Sequence, residues 1–503
     1  MPCDSVYAVP RQIPAAEKET IARVLEHTLK LDRAFLQDRL WRDKSFVWLA
    51  RKVTPAQSRE LRARNLKGIG FIKESKRSYP NGYLASQCIG FAGLDNSGLE
   101  GLELYYDRYL RGSPGWAVML RDARSKKLNL YQQVSLPQDG QDIILTIDEV
   151  IQYIAERELE KAWRSSSAKG ASIVVMDPWT GAILAMANCP TYDINFPGKA
   201  DKEQMRNRAV CDLFEPGSVF KIVTASAALE EKKASEEDRI FCENGEYRVA
   251  NHTLHDHRPH GWLTFREVIE QSSNIGTCKI AQGLGAQTVW RYCKLFGFGV
   301  KTGIDLPGEI SGMVKDLRHW SKTSITAVPM GQEVGVTALQ LATAISAIAN
   351  GGMVLKPAMV KEIRDSRGKT VKRFIPELVR TAISEETAAR VKKILIGVIE
   401  TGTGKLAKSS EYTAAGKTGT AQKIEPNGTY SHSKFIASFI GFAPAQEPKI
   451  VIVVTIDEPR GAYFGGVISA PVFKNVALDT LKYLNSRESS REVIAYHDAV
   501  QSR

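Results

Sequence analysis

A chain of 503 residues exceeds the size at which one hydrophobic core keeps growing, so two or more domains are expected. Its 43% hydrophobic content is spread out, and apolar runs such as Ile450 to Ile456 are strand length; no stretch reads as a membrane-spanning helix or signal peptide. Lys and Arg outnumber Asp and Glu by 68 to 56, a net charge of +12, with no accompanying motif for nucleic acid.

Up to about Gly140 the chain is charged and irregular. Turn signals at Tyr79-Pro80-Asn81-Gly82 and Leu94-Asp95-Asn96-Ser97-Gly98 predict an elongated, strand-rich module over residues 1–145. Arg51 to Arg77 holds nine basic and two acidic residues, more than half of the excess charge. That stretch reads as a solvated basic face, or as attraction to an anionic membrane or a diphosphate-bearing lipid. A helix over Asp148 to Arg164 opens a more regular region, 146–485. There Lys169 to Met176 and Ala182 to Ala187 flank the turn Asp177-Pro178-Trp179-Thr180-Gly181, predicting an antiparallel hairpin. Val219 to Glu230, Leu263 to Gln271 and Thr337 to Asn350 read as helices, the last closed by Gly351-Gly352. A second hairpin joins Phe435 to Phe442 with Lys449 to Ile456, an amphipathic helix covers Ala470 to Leu484, and a polar tail runs from Asn485 to Arg503. Strands first, helices in the middle and strands last predict an α+β layered domain.

Three motifs inside that domain carry chemistry. In Glu215-Pro216-Gly217-Ser218-Val219-Phe220-Lys221 a serine precedes a lysine by three residues, about one helical turn, so the amine can reach the hydroxyl. Ser272-Ser273-Asn274 follows, and Lys417-Thr418-Gly419-Thr420 stands ahead of a strand-like segment. Each alone reads equally as a helix cap or a turn; in this order they form the signature of an activated serine nucleophile. Ser218 needs a base, and Lys221 serves only when neutral. Lowering an ammonium pKa from about 10.4 to about 7 costs roughly 4 to 5 kcal/mol. Two ammonium groups about 4 Å apart repel by about 4 kcal/mol at an effective dielectric near 20. Lys417 is therefore expected to supply much of the shift, with burial adding the remainder. Ser272 can relay a proton, Asn274 can hold a peptide, and the N–H groups of Ser218 and Thr420 are candidates for an oxyanion hole.

Other clusters read differently. His252, His255, His257 and His260 lack a fixed helical spacing for a metal, and Asp256-His257 can instead orient the loop before Ser272. The seven cysteines show no CxxC spacing and read mostly as buried small hydrophobes, with Cys189, Cys211 and Cys278 placed in the core. Trp179, Trp262, Trp290 and Trp320 read as core or groove aromatics. No cofactor or metal is indicated.

The ordered motifs resemble those of penicillin-binding proteins, and the flanks resemble the class B, monofunctional transpeptidase group over nearly the whole chain. Phe46 to Lys52, Lys76 to Gly82 and Gly98 to Glu103 resemble pedestal blocks; Gly331-Gln332-Glu333 with Thr337, Ala349 to Gly352 and Ala415-Gly416 resemble blocks of the transpeptidase domain. The resemblance implies acylation at Ser218 with Lys221 as base, a proton network through Ser272, Asn274 and Lys417, and a peptide lying along Thr418, Gly419 and Thr420. It implies peptidoglycan stem peptides and their lipid-linked precursor as substrates, β-lactams as acylating inhibitors, and a membrane glycosyltransferase and other division or wall-synthesis proteins as partners. It also implies an extracytoplasmic catalytic domain on the cytoplasmic membrane, with an anchor helix encoded upstream of Met1. Glu215 ahead of Pro216 resembles the division or sporulation branch more than the elongation branch. Rival readings are a D,D-carboxypeptidase, a β-lactamase, a β-lactam sensor and a silent scaffold. No Glu-x-x-Leu-Asn motif lies between the second and third motifs to supply a class A deacylating base, and a scaffold would be expected to have lost Ser218, Lys221, Ser272 or Lys417.

Overall fold

β1 (Pro2–Ala8) is followed by α1 (Lys18–Leu29), α2 (Arg33–Leu40), β2 (Val47–Val53), α3 (Pro55–Ala63) and β3 (Ile69–Ser75). The strands pair antiparallel in the order β2-β1-β3. Ile21, Leu25 and Leu29 recur with helical period on α1 and, with Leu36 and Leu40 of α2, cover Val6, Ala8, Val47 and Leu49. The strands expected here are thus accompanied by three helices that the sequence reading did not mark. The basic stretch is partly ion-paired: Arg51 holds Glu74 (3.0 Å) and Asp95 (2.5 Å), Arg62 holds Asp4 (3.1 Å), and Arg77 holds Glu103 (2.6 Å). In this computed structural model, which describes residues 1–121, 127–249 and 252–501, these elements belong to one unit, 1–82 with 90–107. Residues 83–89 and 108 onward form the other.

The second unit is built on a five-stranded antiparallel sheet. Asp148 caps α4 (Glu149–Ser165) by accepting from the N–H groups of Val150 (3.0 Å) and Ile151 (3.3 Å). The predicted first hairpin forms as β4 (Gly170–Met176) and β5 (Ile183–Cys189). Between the two halves of the sheet lie α5 (Lys221–Glu230), α6 (Phe265–Glu270), α7 (Asn274–Leu284), α8 (Ala338–Ala349) and α9 (Glu385–Glu400). The chain then closes with β6 (Ala415–Ile424), β7 (Tyr430–Ala443), β8 (Ile450–Asp457) and α10 (Gly465–Gln501). Strand order is β6-β7-β8-β4-β5, so the two hairpins meet where β8 pairs with β4.

One face of this sheet packs Ile173, Val175, Ile452, Val454 and Ile456 against Ile154 and Leu159 of α4 and Phe473 and Val476 of α10. α8, buried along its whole length, packs on β4, β7 and β8; Thr337 and Gln340 form its capping box. α10 begins before Ala470 and runs through most of the expected polar tail to Gln501; residues 502 and 503 lie outside the described residues. Cys189 and Cys278 are buried as expected, while Cys211 is only half-buried. Trp179 and Trp262 are 52% and 59% exposed, so neither is a core residue.

Candidate active site

The serine turn is a 3-10 segment, Gly217 to Phe220, leading directly into α5. Gly217 has φ 58° and donates its N–H to the carbonyl of Gly331 at 3.2 Å. A Cβ on Gly331 would stand 2.2 Å from the Gly217 oxygen, and one on Gly217 would stand 2.9 Å from the Thr420 oxygen. Backbone therefore packs on backbone at both sides of Ser218, which only glycine permits. On β6 the same holds for Gly419, whose Cβ would lie 3.0 Å from the carbonyl of Pro216.

Lys221 and Lys417 are both 0% exposed. The Lys221 ammonium donates to the Ser272 carbonyl (2.5 Å), to Asn274 Oδ1 (2.8 Å) and to Ser272 Oγ (3.2 Å). Lys417 Nζ donates to the same Ser272 hydroxyl at 2.9 Å. One hydroxyl thus joins two buried lysines. Ser272 is itself in the left-handed region, φ 61°, a conformation that a serine adopts only when its surroundings enforce it. Asp256 anchors the residues that follow: Oδ1 accepts from the N–H groups of Asn274 (2.5 Å) and Ile275 (3.0 Å), and Oδ2 from the Ser273 hydroxyl (2.6 Å). The Asn274 amide also donates to the carbonyl of His255 at 2.9 Å. Among the described residues the Ser218 hydroxyl has no hydrogen-bond partner, while the Thr420 hydroxyl accepts from the Gly465 N–H at 3.1 Å.

Burial is the main cause that pulls the Lys221 pKa down to about 7, against the opposing pull of Asp256. Lys417 is lowered well below its ordinary value, again first by burial and then by repulsion from Lys221. The balance expected from sequence is reversed: burial leads, and charge repulsion falls on Lys417. Neither ammonium is hydrogen-bonded to a carboxylate among the described residues.

Ser218, Lys221, Ser272, Asn274, Lys417, Thr418, Gly419 and Thr420 therefore converge from three separate segments. Glu215 was missed as a structural member of this site. Its Oε1 accepts from the Glu333 N–H (2.8 Å) and the Tyr430 hydroxyl (3.3 Å), and burial raises its carboxyl pKa. Phe214 pairs with Val336 beside it through an isolated antiparallel bridge, N–H to O 3.1 and 2.9 Å, which pins the chain just ahead of the serine turn. Among the described residues no three His, Cys, Asp or Glu side chains converge as metal ligands. His257 packs on the Phe464 ring, His255 lies 3.8 Å from Glu246, and the side chain of His252 lies outside the described residues.

Residues 171–478 match the penicillin-binding protein transpeptidase domain, and residues 2–145 match the penicillin-binding protein dimerisation domain. The chain belongs to the class B penicillin-binding proteins. That is a family of peptidoglycan D,D-transpeptidases. The probable peptidoglycan D,D-transpeptidase PenA of Neisseria meningitidis is 35% identical over 491 residues, 96% of this chain and 82% of the relative. Stage V sporulation protein D of Bacillus subtilis is 36% identical over 498 residues, 97% and 77% of the two chains. The crystal structure of penicillin-binding protein 3 from Mycobacterium tuberculosis, complexed with aztreonam, superimposes with a TM-score of 0.72 at 32% identity, covering 84% of this chain and 91% of that one.

Proposed function

We propose that this class B penicillin-binding protein cross-links peptidoglycan through an acyl-enzyme on Ser218. Lys221, neutral near pH 7, removes the Ser218 proton as the hydroxyl oxygen attacks the penultimate D-Ala carbonyl of a stem peptide. The N–H groups of Ser218 and Thr420 stabilise the oxyanion. Ser272, between the lysines, passes a proton to the departing amine, and the C–N bond breaks to release terminal D-Ala. A neighbouring stem's amine then attacks the ester, loses its proton to the same network and frees Ser218. The terminal carboxylate lies beside the Thr418 and Thr420 hydroxyls. β-Lactams acylate the same oxygen, but their leaving amine stays tethered.

The observation that carries this reading is the shared Ser272 hydroxyl between two buried lysines, neither hydrogen-bonded to a carboxylate. The retention of Ser218, Lys221, Ser272 and Lys417 counts against a silent scaffold. Residues 1–145 form the pedestal and 146–485 the catalytic domain in this proposal. The protein works on the outer side of the cytoplasmic membrane in division or sporulation, beside a membrane glycosyltransferase. The stage V sporulation relative supports the sporulation part of that setting. Among the described residues no helix is long and apolar enough to cross a membrane.

Intact-mass spectrometry after benzylpenicillin, with peptide mapping, tests it. A long-lived adduct on Ser218, absent in Ser218→Ala, is expected. Rapid loss with drug turnover would make the protein a hydrolase, and labelling of the alanine variant would end the assignment.

A further inference from the structure

α9 ends in Thr401-Gly402-Thr403-Gly404, a turn that the proposed mechanism does not use. This turn is held against the end of α6, two residues before Ser272. The Thr401 hydroxyl donates to Glu270 Oε2 (3.3 Å), and the Thr403 N–H donates to the Glu270 carbonyl (3.2 Å). A Cβ on Gly402 would stand 2.3 Å from that carbonyl oxygen. On its other side the turn meets the start of α10, where a Cβ on Gly466 would lie 2.6 Å from the Thr403 oxygen and 3.3 Å from Thr418 Cγ2. Thr403 itself is exposed, and its Oγ1 lies 2.7 Å from Thr418 Oγ1.

A hydroxyl has one proton and two lone pairs, so a hydroxyl that accepts from a fixed donor keeps its own proton for a further acceptor. Thr420 is in that state, accepting from the Gly465 N–H. Among the described residues Thr418 has no backbone donor of this kind to its hydroxyl; the neighbour it has is Thr403. We infer that Thr403 is a positioning residue: it donates to Thr418 Oγ1 and leaves the Thr418 proton directed at the carboxylate that ends the donor stem peptide. The backbone tether to Glu270 ties this hydroxyl to the segment carrying Ser272, so both walls of the cleft set its place. This inference rests on the proposed reading that the carboxylate lies along Thr418 to Thr420.

The experiment compares acylation rate constants for benzylpenicillin and for its methyl ester, which lacks the anionic carboxylate, in Thr403→Val, Thr403→Ser and Thr418→Val, with thermal melting as a check on folding. The free-acid rate in Thr403→Val should fall about tenfold and the ester rate less than twofold, the loss of one charge-assisted hydrogen bond; Thr403→Ser should restore the preference. If Thr418→Val erases the preference and Thr403→Val leaves it, Thr403 is only structural and the inference falls. If neither variant changes it, the carboxylate reading fails and takes the inference with it. Should Thr403→Val not fold, Thr403→Ala is read by the same ratio.

Discussion

Lys417 and Lys423 sit six residues apart on one strand, β6, in opposite electrostatic circumstances. Lys423 donates to Asp457 (2.8 Å) and Glu458 (2.7 Å). Burial alone would lower its pKa, but these hydrogen bonds carry it above the ordinary value. Lys417 is fully buried, meets a hydroxyl and a carbonyl, and is pushed well down. The same side chain is a structural cation where carboxylates are supplied and a candidate for proton transfer where they are withheld. What distinguishes the cleft, among the described residues, is the absence of an acid bonded to its lysines, more than the presence of bases.

The largest expected effect comes from removing the cleft's second lysine. Lys417→Ala should slow acylation by fluorescent penicillin about 10²- to 10⁴-fold, the range of a lost proton-transfer group; an unchanged rate would place Lys417 outside the chemistry. A subtler variant makes the cleft resemble the Lys423 site. Asn274→Asp puts a carboxylate where the Lys221 ammonium now finds an amide oxygen at 2.8 Å. The negative charge favours the ammonium, and in the proposed mechanism only the neutral amine is the base. With the Lys221 pKa at about 7 in the unaltered protein, the acid limb of the acylation profile is expected near that pH and should move up by about 1 to 3 units in the variant. An unmoved midpoint would show that Lys221 ionisation does not control the rate. The smallest effect lies at the paired site. Lys423→Met should cost about 1 kcal/mol in denaturant melts, since the pair is partly open to solvent, and should leave the acylation pH profile in place. Because the folded-state pKa of Lys423 is raised, its contribution is full below about 10.4 and is lost only as pH rises through the higher folded value.

Much of the site was legible because its spacings are local. Ser218 and Lys221 share one turn, and Lys417 to Thr420 lie consecutively on one strand, so order along the chain already marked the residues that the proposed chemistry uses. The source of the lysine shift was not legible, since burial depends on how α5, α7 and β6 close together. The structural role of Glu215 was hidden for the same reason: its partners, Glu333 and Tyr430, are 118 and 215 residues away. The helices of the first unit were a different kind of miss. Ile21, Leu25 and Leu29 repeat at helical spacing, and Thr54-Pro55 with Gln57 is a capping box, so the signal was present within a charged background. Both hairpins of the sheet were found because their turns are marked, by Asp177, Pro178 and Gly181 in one and by Pro444 and Pro448 in the other, but their meeting through β8 and β4 joins segments far apart in sequence, as Met176 pairs with Val451.

The left-handed backbone of Ser272 narrows what selection can do there. Glycine and asparagine accept that geometry readily, but neither brings a hydroxyl. Threonine brings the hydroxyl, but its branched Cβ resists the conformation. Drug pressure on this protein therefore finds almost no single exchange at Ser272 that keeps both requirements, and escape routes must run through neighbours that reshape access to the cleft while sparing the proposed proton relay.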